Sequence, residues 1–321
     1  MILTVTLNAA LDITYRVPRL RPHTTHRVTE VTERPGGKGL NVARVLAALG
    51  HRTVATGFAG GGTGEALRAL LTQETDVTDA LVPVGGATRR TVAVVDEASG
   101  DTTQLNEPGP TVSPAEWDTF LGSYRELLGD ARAVALCGSL PPGVPVDVYA
   151  RLTRVARTAG VPVLLDTSGE PLRRGLAARP DLAKPNADEL AALTGSTEPL
   201  RAARDARRRG AHAVAASLGA DGMLAVTADG AWQAAPPQRI AGNPTGAGDS
   251  AVAGLLSGLV EELPWPDRLT RAVALSAATV RAPAAGEFDA ETYEDLLPRV
   301  VVTDHDGGVQ RAAGRAGPPG N

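Results

Sequence analysis

The sequence predicts an α/β fold: a mostly parallel central sheet with helices on both faces and a small β-sheet set beside it. Two patterns predict this. Short apolar, β-branched runs alternate with longer segments of helical period, the order that builds a parallel sheet between helical layers. Two stretches, within about 12–35 and 88–106, break that order and alternate Thr, Val and Arg instead, as in RVTEVTER and RRTVAVV, with Asp101 near an expected turn. They read as antiparallel strands of a flap that closes over a ligand or meets a second subunit. Ordinary edge strands are the plainer alternative.

Taken in order, Ile2–Leu7, Thr53–Phe58, Ala133–Leu136, Val161–Leu165 and Ala213–Ser217 read as buried strands. Helical period covers Leu40–Leu49, Gly64–Leu71, Glu116–Leu128, Val146–Ala159 and Leu200–Arg209. Ligands of such folds sit beyond the carboxyl ends of the strands. One domain is expected over 1–302. The tail, 303–321, is Gly/Pro-rich without apolar period and is expected to lack a fixed structure.

Composition narrows the function. The chain has 321 residues, 43% of them hydrophobic, 3% aromatic, with a net charge of −4. That is a globular chain without the basic field or stacking rings of a nucleic-acid binder. A single cysteine, Cys137, excludes an internal disulfide. The opening MILTVTLNAALD carries no cationic leader, and no apolar run approaches a membrane span, so a cytoplasmic protein is expected. Any anionic ligand must be held by a few placed cations and by backbone N–H groups. The 36 glycines matter where they cluster.

The first cluster is Gly36-Gly37-Lys38-Gly39-Leu40-Asn41. A glycine turn runs straight into a helix, whose open N–H groups and dipole favour an anion or a hydroxyl-rich ligand, with Lys38 adding charge. The spacing is not that of Walker A, and G-x-G-x-x-G is absent. A surface turn with solvated Lys38 and Asn41 accounts for it equally well. The second is Asn243-Pro244-Thr245-Gly246-Ala247-Gly248-Asp249-Ser250, ahead of the apolar helix Ala251–Val260. Gly246 and Gly248 permit a tight turn whose N–H groups converge into an anion hole at a helix start, with Asp249 at its mouth. A carboxylate there can take a proton from an attacking hydroxyl while the N–H groups stabilise a transferring phosphoryl group. The competing reading is that Asp249 is an N-cap.

Three weaker motifs lie where strands should end. Lys184-Pro185-Asn186-Ala187-Asp188-Glu189 has capping-box spacing between Asn186 and Glu189, which by itself reads as a helix cap. Ser217-Leu218-Gly219-Ala220-Asp221-Gly222 reads as a turn into a hairpin. Cys137-Gly138-Ser139-Leu140-Pro141-Pro142-Gly143 is a rigid loop in which Ser139 can face a ligand. Its Cys137, in an apolar strand, reads as an inert buried thiol.

In this order the motifs resemble the ribokinase-like (PfkB) family of carbohydrate kinases over Met1 to about Val302, and within it the hexose-phosphate branch of 1-phosphofructokinase and tagatose-6-phosphate kinase, to which MILTVTLNAALD and LNEPGP (105–110) point. The resemblance implies a three-layer α/β/α fold with a β-sheet lid, and ATP with Mg²⁺. It implies a sugar site of Asp12, Gly37, Lys38, Asn41 and Ser139, with Arg89 reaching the phosphate the sugar already carries. Lys184, Asn186 and Glu189 would serve the nucleotide phosphates, Glu189 meeting Mg²⁺ through water. Ser217, Gly219 and Gly222 would border the nucleotide. Asp249 would be the base beside the anion hole of Gly246, Ala247 and Gly248. The implied reaction is ATP-dependent phosphorylation of a ketohexose phosphate, foremost fructose 1-phosphate to fructose 1,6-bisphosphate. Tagatose 6-phosphate or fructose 6-phosphate is the alternative acceptor, and a non-catalytic sugar-phosphate sensor is the alternative of another class. The expected partners are these small molecules and a second copy of the chain through the lid, with no nucleic acid or membrane. Two departures stand out: Cys137 replaces the family's usual Ser, and Gly60-Gly61-Gly62 is richer in glycine than usual.

Overall fold

The structure is a computed structural model describing residues 1–305 and 310–312. In chain order it begins with β1 (Ile2–Thr6), β2 (Ala10–Val17), β3 (Glu30–Gly36), α1 (Lys38–Ala48), β4 (Thr53–Ala59), α2 (Gly61–Glu74), β5 (Val77–Asp79), β6 (Val82–Pro83), β7 (Arg89–Asp96) and β8 (Thr102–Asn106). It continues through α3 (Pro114–Leu128), β9 (Ala133–Cys137), α4 (Val148–Thr158), β10 (Val163–Asp166), α5 (Gly169–Ala177), β11 (Leu182–Ala183), α6 (Ala187–Thr194), α7 (Pro199–Arg208) and β12 (Ala213–Ser217). The last part holds β13 (Met223–Val226), β14 (Ala231–Ala235), α8 (Ala247–Val260), α9 (Trp265–Thr279), α10 (Ala290–Leu296), β15 (Val301–Asp304) and β16 (Gln310–Ala312).

The large sheet runs β16-β15-β14-β13-β12-β11-β10-β9-β1-β4-β5, with β6 on β4. From β5 to β12 neighbouring strands are parallel; β13 to β16 are antiparallel. Every residue of β1, β4, β9 and β10 is buried, as strands covered on both faces require. One face packs on α3 to α7 through residues such as Phe120, Tyr124, Leu152 and Leu190. The other packs on α1, α8 and α9 through Val42, Leu46, Val252 and Leu275. Local chemistry sets several boundaries. Helix α3 opens on a Ser113–Glu116 capping box with Pro114 at its first position. Strand β10 starts at Val163 rather than Val161, since Pro162 has no N–H to give a ladder. Helix α8 starts at Ala247 rather than Ala251, so the glycine-rich run is itself the first helical turn.

The smaller sheet, in the order β3-β2-β7-β8, comes from the two stretches that lack helical period. Its β2–β7 pair is parallel and the outer pairs are antiparallel. Strand β2 leaves the carboxyl end of β1, so this sheet stands over the edge where the loops after β9, β10, β11 and β12 converge. The tail diverges from expectation. Residue 302 is not a boundary: Val302 is buried inside β15, which pairs with β14, and Gln310–Ala312 extends the sheet as β16. An antiparallel strand leaves an open row of N–H and C=O groups, and these residues fill it. The rest of the expected tail lies outside the described residues. Among the described residues no helix is long and apolar enough to cross a membrane.

Candidate active site

Two adjoining cavities open at the carboxyl edge of the large sheet and share Asn186, Ser217 and Gly248. The first, of about 670 Å³, is lined by Asp12, Gly37, Lys38, Asn41, Arg89 and Ser139, and also by Lys184, Glu189, Gly246 and Asp249. The second, of about 600 Å³, holds Gly219, Gly222 and Ala247. All the residues singled out from the sequence therefore lie on one continuous groove, although they are spread from position 12 to position 249.

The start of α8 forms the floor. Gly246 caps the helix with φ +84°, and a Cβ there would come within 2.8 Å of the Ala285 Cα, so both backbone and space demand glycine. Among the described residues no side chain caps this helix, so Asp249 is not spent on a cap. It accepts a hydrogen bond from Asn41 Nδ2 at 2.8 Å, across 208 residues of sequence. The N–H of Ala247 is occupied by the Pro244 carbonyl at 3.1 Å. Of the three expected anion-hole positions, Gly246 and Gly248 have N–H groups that meet no acceptor among the described residues, and so does Asp249.

The charges are arranged around one carboxylate that the motifs did not reveal. Asp166 ends β10, is 1% exposed, and lies 3.3 Å from Lys38 Nζ and 3.4 Å from Lys184 Nζ. Burial pushes the Asp249 carboxyl up to about 6, and the charge of Asp166 adds to this; the Asn41 hydrogen bond, Lys38 and Lys184 act the other way. For Lys38 burial alone would lower the pKa, but Asp166, Asp249 and Glu189 together raise it. Asp12 is also pushed up to about 6 by burial, against the Thr91 hydrogen bond and the charges of Arg89 and Arg44. Arg89 is held by backbone: its Nε donates to the Asn8 carbonyl at 3.2 Å. Ser139 Oγ accepts from Asn8 Nδ2 at 3.1 Å.

Asn186 and Glu189 make a full capping box at the start of α6, each side chain bonding the other's backbone N–H at 2.8 Å. The cap uses Glu189 Oε2, and Glu189 lines the first cavity together with Lys38 and Lys184. A carboxylate in the cavity wall suits a hydrated Mg²⁺, which keeps several of its waters. Cys137 is fully buried, and burial drives its thiol pKa well up, so it is inert as read. The second cavity is walled by Met223, Ile240, Val273, Ala277 and Val280. Its apolar character escaped the sequence because these residues come from separate segments of the chain.

The pfkB family carbohydrate kinase model matches residues 4–292. The chain belongs to the pfkB family of carbohydrate kinases. Among solved structures, this pfkB chain is similar to Escherichia coli phosphofructokinase-2 in complex with fructose-6-phosphate, with 32% identity over 92% of this chain and 98% of that one, and a TM-score of 0.83. It is similar as well to a possible 1-phosphofructokinase of Thermotoga maritima, at 28% identity, 95% and 99% coverage and a TM-score of 0.86. Arabidopsis thaliana ribokinase, at 23% identity, 92% and 98% coverage and a TM-score of 0.71, shares the ribokinase-like fold.

Proposed function

We propose that this pfkB kinase transfers the γ-phosphoryl group of ATP to a ketohexose phosphate, with fructose 1-phosphate phosphorylated at O6 as the first choice. The observation that carries this reading is Asp249. It is a buried carboxylate with a raised pKa, beside open N–H groups at a helix start and close to two lysines. In this reading it takes the proton of the acceptor hydroxyl as the phosphoryl group arrives in line. Lys38, Lys184 and the α8 N–H groups face the charge that develops on that group. Bound Mg²⁺, held through water at Glu189, would neutralise phosphate charge. Asn186, Ser217, Gly219 and Gly222 border the nucleotide, whose base enters the apolar cavity. Asp12, Gly37, Asn41 and Ser139 hold the sugar hydroxyls under the smaller sheet, which acts as a lid and excludes water. A cytoplasmic location suits such a reaction.

The sugar's own phosphate falls to Arg89. Its Nε is fixed on the Asn8 carbonyl, while the contacts of Nη1 among the described residues are long, 3.4 Å to Thr91 Oγ1 and 3.5 Å to the Glu107 carbonyl. Arg89→Ala should raise the KM for the sugar phosphate by roughly 10- to 100-fold, the worth of a charge-assisted hydrogen bond, and leave that for ATP nearly unchanged. Equal effects on both would end this assignment. ADP release measured over fructose 1-phosphate, tagatose 6-phosphate, fructose 6-phosphate and the unphosphorylated sugars tests the function as a whole. Preference for fructose 6-phosphate would favour the alternative suggested by the Escherichia coli phosphofructokinase-2 solved with that sugar. Binding of sugar phosphate without ADP formation would favour the sensor.

The lid also supports a homodimer. In the β3-β2-β7-β8 register, Asp12, Thr91 and Asn106 occupy the face toward the cavity. Tyr15, Val31, Val94, Val92 and Leu105 occupy the other, with Val31 56% and Leu105 60% exposed. An apolar outer face on a four-stranded sheet suits a second copy of itself. Leu105→Asp should convert the dimer to monomer in light scattering; a wild-type monomer, or an unaffected dimer, would refute the lid contact.

A further inference from the structure

Glu287 lies in the loop after α9, outside both cavities and outside every motif in the sequence. Its carboxylate joins two arginines from separate parts of the molecule. Oε1 accepts from Arg44 Nη2 on α1 at 2.8 Å and stands 3.6 Å from Arg34 Nη2 on β3. Arg44 is almost wholly buried, and its Nη1 donates to the Ala285 carbonyl at 2.9 Å. One guanidinium therefore grips the 285–287 loop at two points, while the third member of the bridge belongs to the smaller sheet.

The loop gripped in this way backs the site on which Asp249 sits. Ala285 is packed so closely on Gly246 that a Cβ at 246 would lie 2.8 Å from its Cα. Gly286, at φ +77°, is pressed on α1: a Cβ there would lie 3.1 Å from Asn41 Oδ1 and 2.8 Å from Arg44 Nη1. Asn41 is the residue that donates to Asp249. Small movements of the loop therefore reach the cap of α8 and the donor that orients the carboxylate. On the other side, Arg34 is the register partner of Asp12, which lines the sugar end of the groove. A surface ion pair would have little consequence; here Glu287 and Arg34 are 29% and 31% exposed, but Arg44, at 5%, anchors the bridge on a buried guanidinium.

The geometry points to Glu287 as a positioning residue that couples the sugar-side sheet to the phosphate-side helix, so that sugar phosphate and nucleotide bind with positive cooperativity. The identity of the two ligands rests on the kinase reading; the coupling rests on the bridge. Placement of β3 by the sugar sets Arg34, Arg34 and Arg44 set Glu287, and the loop then holds Asn41 and Gly246 in the arrangement the phosphates meet. Since coupling is reciprocal, nucleotide tightens sugar by the same factor.

Calorimetric titration of the full chain with fructose 1-phosphate and with fructose 6-phosphate, with and without a non-hydrolysable ATP analogue, tests this. Wild type should bind its preferred sugar phosphate more tightly with the analogue, by a factor in the range of roughly 5 to 150. Glu287→Ala should bring that factor close to one while each ligand alone still binds. Glu287→Gln, which keeps an acceptor for Arg44 but loses the charge facing Arg34, should fall between the two. In turnover at saturating sugar phosphate the Ala variant should show a raised KM for ATP, by up to the wild-type coupling factor, and its ATP hydrolysis without sugar should rise relative to transfer. Should the Ala variant fail to fold, Arg34→Gln cuts the bridge on the sheet side, and the same loss of coupling is expected. A wild-type factor in Glu287→Ala, or additive binding in wild type that turns over normally, overturns the coupling and leaves the kinase reading intact. Cooperative binding in wild type without ADP formation overturns the kinase reading and leaves the coupling intact.

Discussion

Asp249→Asn should lower kcat by about 10²- to 10⁴-fold, the usual worth of a general base, with nucleotide binding little changed. The substitution is unusually clean here. An asparagine carbonyl oxygen still accepts the hydrogen bond from Asn41 Nδ2, so the side chain keeps its place. It also removes a cost. The carboxyl pKa is raised from 3.8 to about 6 in the folded chain, so the folded state binds the proton more tightly than the unfolded one. The cost of ionisation builds between those two values and is in full force at neutral pH. A neutral side chain does away with this penalty and with the repulsion from Asp166. The melting temperature at neutral pH should hold or rise while activity collapses, and unfolding cannot then explain the loss. Turnover retained within about tenfold of wild type would remove Asp249 as the base.

How much of this was legible in the sequence follows from how locally each feature is encoded. The alternation of strands and helices is local, and so are the flap strands with their period of two. The capping box of Asn186 and Glu189 is written within four residues and is present as read. The glycine run before Asp249 is legible as a tight turn into a helix, but not that Ala247 would spend its N–H on Pro244, because that depends on the turn geometry. Asp166 was invisible. It is a lone aspartate closing an apolar strand, and its partner Lys38 stands 128 residues away. The parallel pairing of β10 with β11 brings Lys184 to that carboxylate, and the pairing of β9 with β10 and with β1 brings the Lys38 side of the sheet to it. Glu287 was hidden for the same reason, since Arg34 and Arg44 are joined to it only by the fold. The tail misled because low apolar content hid residues whose backbone completes a sheet edge.

The pH profile tests whether Asp166 sets the chemistry of its neighbour. In wild type, kcat/KM should fall as pH drops through about 6, because Asp12 and Asp249 both protonate there and both are needed ionised. A sugar phosphate also ionises near pH ~6, so the wild-type curve alone is ambiguous. The difference between two enzymes on the same substrate is not. Asp166→Asn removes a negative charge that raises the Asp249 pKa and leaves Lys38 and Lys184 to act on it without competition. The share of the acid limb that belongs to Asp249 should move to lower pH, while that of Asp12, on the smaller sheet, stays near 6. Stability should move the opposite way. Lys184 is 4% exposed and would lose its carboxylate partner, a loss on the order of 3–5 kcal/mol. Lys184→Met added to Asp166→Asn should recover much of that stability, since the buried charge then goes too, though not the activity. An unshifted acid limb in a folded Asp166→Asn enzyme would mean that the two carboxylates do not act on each other, and that the raised pKa of Asp249 comes from burial alone.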